Sequence, residues 1–160
     1  PEALRALGRE RLRVRGLRGR PVAVHPGSGS PSKNWPVDRF VEIIRRLLAK
    51  KTEVVAILGE ADVAEAAVLA RELPNLPVLE GLTLVELAAT LAECGAYLGN
   101  DSGITHLAAA VGLPVTALFG PSDADVWAPR GRGGAKVLRA PEGELERLAV
   151  AEVWEALERA

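Results

Sequence analysis

Sulfur is almost missing from this sequence. Its 160 residues include one cysteine, no methionine and few aromatics: three Trp, two Phe and one Tyr. A single thiol excludes an internal disulfide framework. Cys94 falls within the apolar pattern at a helix end and reads as a small buried hydrophobe rather than a nucleophile. Net charge is nearly absent too, at −1, which argues against a nucleic-acid-binding protein. No apolar run is long enough to span a bilayer, and no secretory signal is visible, so the expected location is cytoplasmic. The chain opens on Pro1 without an initiating methionine and is expected to be a fragment or a processed piece.

What remains is ordinary globular material, 48% apolar and 26% charged, enough for one domain with a true core. The basic stretch from Arg5 to Arg20 reads as a solvated helix face or a linker. The expected division is therefore an N-terminal extension over 1–20 and a folded domain over 21–160.

Within that domain, short β-branched runs alternate with longer helical ones. Strands are expected at Val22–His25, Val54–Leu58, Val78–Leu79, Ala96–Leu98, Val115–Phe119 and Lys136–Leu138. Helices are expected from Val37 to Lys51, from an Asp62 cap to about Leu73, from Leu84 to Glu93 and from Ile104 to Val111. A helical tail spans Leu145 to Arg159, with a break near Val150. Thr83 and Glu86 have the spacing of a capping box. This alternation predicts an α/β fold with a doubly wound, Rossmann-like parallel sheet covered on both faces. In such sheets ligands bind beyond the carboxyl ends of the strands.

Those ends hold the informative residues. After the fourth strand come Asn100, Asp101, Ser102, Gly103, Ile104, Thr105 and His106, where a buried strand passes abruptly into a helix. The first N–H groups of a helix lack partners within it, and its aligned dipoles leave that end partly positive. Ser102 and Gly103 therefore form a candidate phosphate site. His106 is one turn along, able to donate a hydrogen bond to an anion. Asp101 would cap the helix or orient sugar hydroxyls or Lys33.

The first loop, Pro26 to Lys33, offers the hydroxyls of Ser28 and Ser30 and the charge of Lys33 for phosphate oxygens. It is neither a Walker A loop nor a dinucleotide fingerprint, and a plain solvated turn has much the same composition. Glu60, just past the second strand, can accept from ribose hydroxyls, and Leu82 can pack on a base. Asp123-Ala124-Asp125 resembles a metal-holding Asp-x-Asp, but reads better as a helix cap with a solvated neighbour. Trp127 and Pro129 are expected to anchor that loop. His25, at a strand end, is either buried or part of the crevice.

Taken in order, these segments resemble glycosyltransferase family 9, the ADP-heptose:lipopolysaccharide heptosyltransferases. The segments are His25-Pro26-Gly27-Ser28-Gly29, Lys33-Asn34-Trp35-Pro36, Gly59-Glu60, Gly81 to Leu87, Asp101 to Ala110 and Leu118 to Ser122. The resemblance implies the C-terminal half of a GT-B enzyme, two Rossmann-like domains facing across a cleft. It implies donor contacts at Ser28, Ser30, Lys33, Glu60, Leu82, Asp101, Ser102, Gly103 and His106. Its implied substrate is a nucleoside-diphosphate sugar such as ADP-heptose, with no metal cofactor and inverting transfer to a glycolipid or saccharide acceptor.

The family's catalytic aspartate and acceptor site lie in an N-terminal domain to which nothing here corresponds. This chain alone is thus expected to bind donor without turnover. The full-length protein would work in the cytoplasm, with peripheral contact at the inner face of the cell membrane. A non-catalytic nucleotide-binding module and a nucleotide-sugar epimerase domain stay open as alternatives.

Overall fold

The computed structural model describes residues 1–159. Its centre is a six-stranded, wholly parallel sheet: β1 (Val22–His25), β2 (Val54–Leu58), β3 (Val78–Glu80), β4 (Ala96–Asn100), β5 (Val115–Phe119) and β6 (Ala135–Arg139). Their spatial order is β3-β2-β1-β4-β5-β6, the doubly wound Rossmann order. Successive strands step outward from β1 to β3; the chain then returns to the other side of β1 and steps outward again. The β1/β4 junction is the switch point, with His25 in register with Gly99. Helices covering both faces explain why all five residues of β2 and all five of β5 are buried and why those strands read as unbroken apolar runs.

One face carries α2 (Val37–Ala49), α3 (Val63–Glu72) and α7 (Val150–Glu158). Phe40, Ile43, Ile44 and Leu47 of α2 pack there on Val24, Val54, Ala56 and Leu98 of the strands. Trp35, fully buried just before α2, meets Phe40 edge to face at 5.1 Å, a favoured aromatic geometry. The opposite face carries α1 (Glu2–Arg13), α4 (Leu84–Leu91) and α5 (Gly103–Ala110), over Ala23, Val55, Ile57, Tyr97 and Ala117. The short α6 (Ala124–Trp127) follows β5. The break expected near Val150 is present: a 3-10 turn at Leu145–Arg147 precedes α7.

Several local expectations meet a different outcome. Before residue 21, the helix-face reading of the basic stretch fits α1, whose other face docks on α4 through buried Leu12 and an Arg11–Glu86 ion pair. Asp62 makes no side-chain capping bond to α3; its carboxylate turns to His25 and the Gly59 amide instead. Trp127 is 58% exposed and anchors nothing, whereas Pro129 is buried as expected. Asp123 does cap α6, accepting from the Asp125 amide, and Thr83 with Glu86 completes the capping box on α4. Cys94 is buried, and burial pushes its thiol up to about 12, too high for a reactive thiolate.

Gly8 decides how closely α1 approaches α4, because a Cβ there would lie 2.2 Å from the Ala89 carbonyl oxygen. Helix propensity alone would make Gly8→Ala stabilising by about 0.5–1 kcal/mol. Overpacking typically costs about 1–3 kcal/mol, so the clash should win and the urea midpoint should fall. A raised midpoint would show that α1 does not dock as described.

Candidate functional site

The carboxyl ends of β1, β2 and β4 surround a cavity of about 380 Å³. Its polar lining comes from His25, Ser28, Glu60, Asp62 and Ser102, and its apolar wall from Leu84, Ile104 and Leu107. A second cavity of about 320 Å³ shares Gly59, Glu60 and Ile104 with the first and extends to Leu79, Gly81 and Leu82. Together they form a crevice that is polar near the switch point and apolar further out. A larger groove of about 580 Å³ lies beside α1, lined by Arg9, Arg13, Arg18 and Arg20. It sits at the amino ends of the strands, the wrong edge for a ligand in an open parallel sheet.

Helix α5 supplies the anion-binding character. Ser102 is extended and caps it, its hydroxyl accepting from the Thr105 amide at 3.4 Å. That spends the third amide of the helix and leaves those of Gly103 and Ile104 without intrahelical partners. A side chain added at Gly103 would meet nothing within 4 Å, so the amino end is open toward the cavity. Below it, the Thr105 hydroxyl bonds to Tyr97 Oη at 2.9 Å and donates to the Asn100 carbonyl. These contacts clamp the first turn onto β4. Tyr97 is fully buried, and burial pushes its phenol above the usual range.

The first loop is ordered by its own hydroxyls. Ser28 Oγ lies 2.7 Å from the Ser30 carbonyl and 2.6 Å from Asn34 Oδ1 and accepts from the Ser30 amide. Ser30 Oγ meets Ser32 Oγ at 3.1 Å. Lys33 Nζ reaches across to Asp101 Oδ2 at 3.2 Å, linking the loop to the residue before the α5 cap. Of the sequence-derived candidates, Ser28, Glu60, Ser102 and Gly103 share the first cavity, and Leu82 lies with Glu60 in the second. Ser30, Lys33, Asp101 and His106 line neither cavity. Capping of α5 falls to Ser102, and Asp101 orients Lys33.

Asp62 and Asn100 are the two positions that sequence reasoning missed. Asp62 Oδ2 faces His25 Nε2 at 2.9 Å and accepts the Gly59 amide at 2.7 Å. Burial raises the Asp62 carboxyl, but the hydrogen bonds from His25 and Gly59 outweigh it and hold the group below its ordinary value. Gly27 has no side chain because it cannot: a Cβ would lie 1.8 Å from Asp62 Oδ1. Asn100 is fully buried, accepts from the Trp35 amide at 3.1 Å and donates to the Pro26 and Gly27 carbonyls at 2.9 and 3.2 Å. An asparagine ending an otherwise apolar strand was the available signal for it.

Residues 6–151 match glycosyltransferase family 9 (heptosyltransferase). The chain belongs to this family. It is 36% identical over 106 residues to lipopolysaccharide heptosyltransferase 2 of Salmonella typhimurium, an alignment covering 62% of this chain and 30% of that protein. A family 9 glycosyltransferase structure from Veillonella parvula superposes with a TM-score of 0.88 at 25% identity, over 99% of this chain and 51% of that one. E. coli heptosyltransferase WaaC with ADP gives 0.80 at 26% identity, over 88% and 44%. This family 9 chain thus spans 30% of the first curated relative and about half of the solved structures. Its Rossmann-like sheet is the architecture of one half of a GT-B glycosyltransferase.

The lowered Asp62 carboxyl has a pH consequence. Its folded-state value lies below the ordinary value for an aspartate. Its stabilisation is therefore full above about pH 4–5 and disappears as pH falls through the folded-state value. Urea titrations from neutral pH to pH 3 should show an acid-side loss of stability that Asp62→Asn reduces; an identical slope in the variant would mean that the carboxylate contributes none of it.

Proposed function

We propose that this chain is the donor-binding, C-terminal half of an inverting glycosyltransferase that moves heptose from a nucleoside-diphosphate heptose to a glycolipid or saccharide hydroxyl. One observation carries the reading: the open amino end of α5 shares a cavity with Glu60 at the switch point of the sheet. Diphosphate would lie against the Gly103 and Ile104 amides, ribose hydroxyls on Glu60, and base in the apolar outer crevice beside Leu82. The solved relative that contains ADP favours adenine as that base.

In glycosyl transfer the sugar–oxygen bond breaks and negative charge grows on the departing diphosphate. Fixed amides stabilise such charge without reorganising, and Lys33 adds a cation that Asp101 keeps close at hand. Asp101 can exchange Lys33 for a sugar hydroxyl once the donor's phosphates compete for the ammonium. His106, exposed on the first turn of α5, would meet the donor from the cleft side. Deprotonation of the acceptor falls to an aspartate on a second domain, so this chain alone would bind donor and transfer nothing. The complete protein would act in the cytoplasm, peripherally at the inner face of the membrane where a glycolipid acceptor resides.

No metal has a place in this scheme. Asp123 is spent capping α6, and Asp125 pairs with Arg139. The family match favours sugar transfer over a purely regulatory nucleotide module or an epimerase.

Calorimetry with ADP tests the reading. The chain should bind ADP with or without EDTA. Lys33→Ala should weaken ADP by roughly tenfold or more, the worth of one charged hydrogen bond, while changing adenosine little. Failure to bind ADP would overturn the donor assignment, equal losses for ADP and adenosine would remove Lys33 from the phosphates, and sensitivity to EDTA would bring back a metal.

A further inference from the structure

Asp62 has no part in the scheme above, yet it lines the same cavity as Glu60. Its side chain is 4% exposed. An ionised carboxylate only accepts hydrogen bonds, and its two oxygens offer about four lone-pair positions. Both bonds that Asp62 receives fall on one oxygen: Oδ2 accepts from His25 Nε2 at 2.9 Å and from the Gly59 amide at 2.7 Å. Oδ1 accepts none. Bare Gly27 makes room for it on one side, where a Cβ would lie 1.8 Å away. Nor is Oδ1 sealed in. Among the described residues the buried side-chain atoms without partners are Arg11 Nε and His25 Nδ1, so Oδ1, equally unpartnered, keeps accessible surface in the cavity wall. Polar atoms of buried residues are nearly always paired. This oxygen lacks a donor that a ligand can bring.

The chemistry of the wall narrows that ligand group. The residues lining the cavity include the carboxylates of Asp62 and Glu60 and no lysine or arginine. An anion is repelled from this side and left to the amides of α5. A divalent cation wants more ligands than two carboxylates supply, and among the described residues no three His, Cys, Asp or Glu side chains stand together as a metal site. A neutral donor is the match. On the donor reading the base lies further out, beside Leu82 in the second cavity, which leaves the ribose. Its two adjacent hydroxyls each carry one donor, and two carboxylates face the space that it would occupy.

Building on the donor reading, we propose that Asp62 is a second ribose-binding residue: Oδ1 accepts a hydrogen bond from one hydroxyl of the ribose cis-diol while Glu60 accepts from the other. A sugar that lacks either hydroxyl leaves one of these carboxylates unpaired, so the two together select ribonucleotides over deoxyribonucleotides. His25 and the Gly59 amide hold the Asp62 carboxylate in place through Oδ2 and leave Oδ1 to the ligand.

Calorimetry with ADP, 2′-deoxy-ADP and 3′-deoxy-ADP tests this on the unaltered chain, on Asp62→Asn and on Glu60→Gln. Asparagine can keep its carbonyl oxygen on His25 and the Gly59 amide and turn its NH2 to the cavity, so the acceptor facing the ligand is what is lost. The unaltered chain should bind each deoxy analogue about tenfold or more weaker than ADP, on the scale of one hydrogen bond to a charged group. Asp62→Asn should abolish the penalty for one analogue and keep it for the other, and Glu60→Gln should do the reverse. Penalties for both analogues that survive unchanged in Asp62→Asn would overturn the proposal.

Circular dichroism checks the fold of each variant. Glu60 is exposed, so Glu60→Gln carries the test even where Asp62→Asn fails to fold: one deoxy penalty should persist in it, and indifference to both hydroxyls would show that Glu60 alone holds the diol and overturn the proposal. Equal binding of all three nucleotides by the unaltered chain would overturn it too while leaving the donor site standing. Absence of ADP binding altogether would overturn both.

Discussion

Asn100 holds the site open by holding the sheet together at its switch point. Beyond the ends of β1 and β4 the chain turns away on each side, and the backbone groups of the departing loops lose their ladder partners. Buried amides and carbonyls without partners are costly. One fully buried side-chain amide satisfies three of them, the Trp35 amide and the Pro26 and Gly27 carbonyls. Trp35 is also tied on its far side, where Nε1 donates to the Leu148 carbonyl at 2.9 Å. The first loop is thus fastened to β4 at one point and to the segment before α7 at another. Its hydroxyls and Lys33 are placed by these contacts rather than by the loop's own composition.

A second knot works from the other flank. Asp62 draws together the end of β1 through His25, the start of the β2–α3 loop through the Gly59 amide, and the bare backbone of Gly27. The two knots bracket the cavity: one side chain from β4 reaches toward the β1 loop, and one from the β2–α3 turn does the same. Between them the amino end of α5 stays unfilled because its cap, Ser102, uses a short hydroxyl and bonds only the third amide. A longer acidic cap would have placed its own negative charge where a phosphate could sit. Preorganisation of this kind fixes donors before the ligand arrives, which is where such sites gain their strength.

The fold class was legible because its signals are local. Unbroken apolar strands, helical periods and a glycine or serine at nearly every strand end need no knowledge of distant residues, and the Ser102–Gly103 helix start follows from the same logic. The His25–Asp62 pair was not legible, since the two are 37 residues apart and each has a plausible local role. Asp62 stands immediately before a helix, where local rules assign it to capping; an N–H from distant His25 and the Gly59 amide three residues back outbid the helix. Trp127 misled in the opposite direction. Size suggests burial for a tryptophan, but Trp127 ends a four-residue helical turn and stays exposed, while Pro129 is buried. Residues before 21 read as a basic extension because arginines dominate there, yet Gly8 and Leu12 form a narrow stripe suited to α4.

The site's economy of positive charge follows from the same architecture. A donor site rich in arginine would hold the nucleoside diphosphate formed by transfer as firmly as the donor that brought it, and binding that favours both alike does not speed a reaction. Here the fixed attraction comes from neutral amides at a helix end and one lysine already paired with Asp101. That lysine arrives with its own counter-charge. On the proposed donor reading, its net pull on a bound donor would be small and would grow as bond breaking moves charge onto the diphosphate and draws the ammonium away from Asp101. A paired cation with fixed dipoles would therefore answer the change in charge during the proposed transfer better than the charge of the bound ground state.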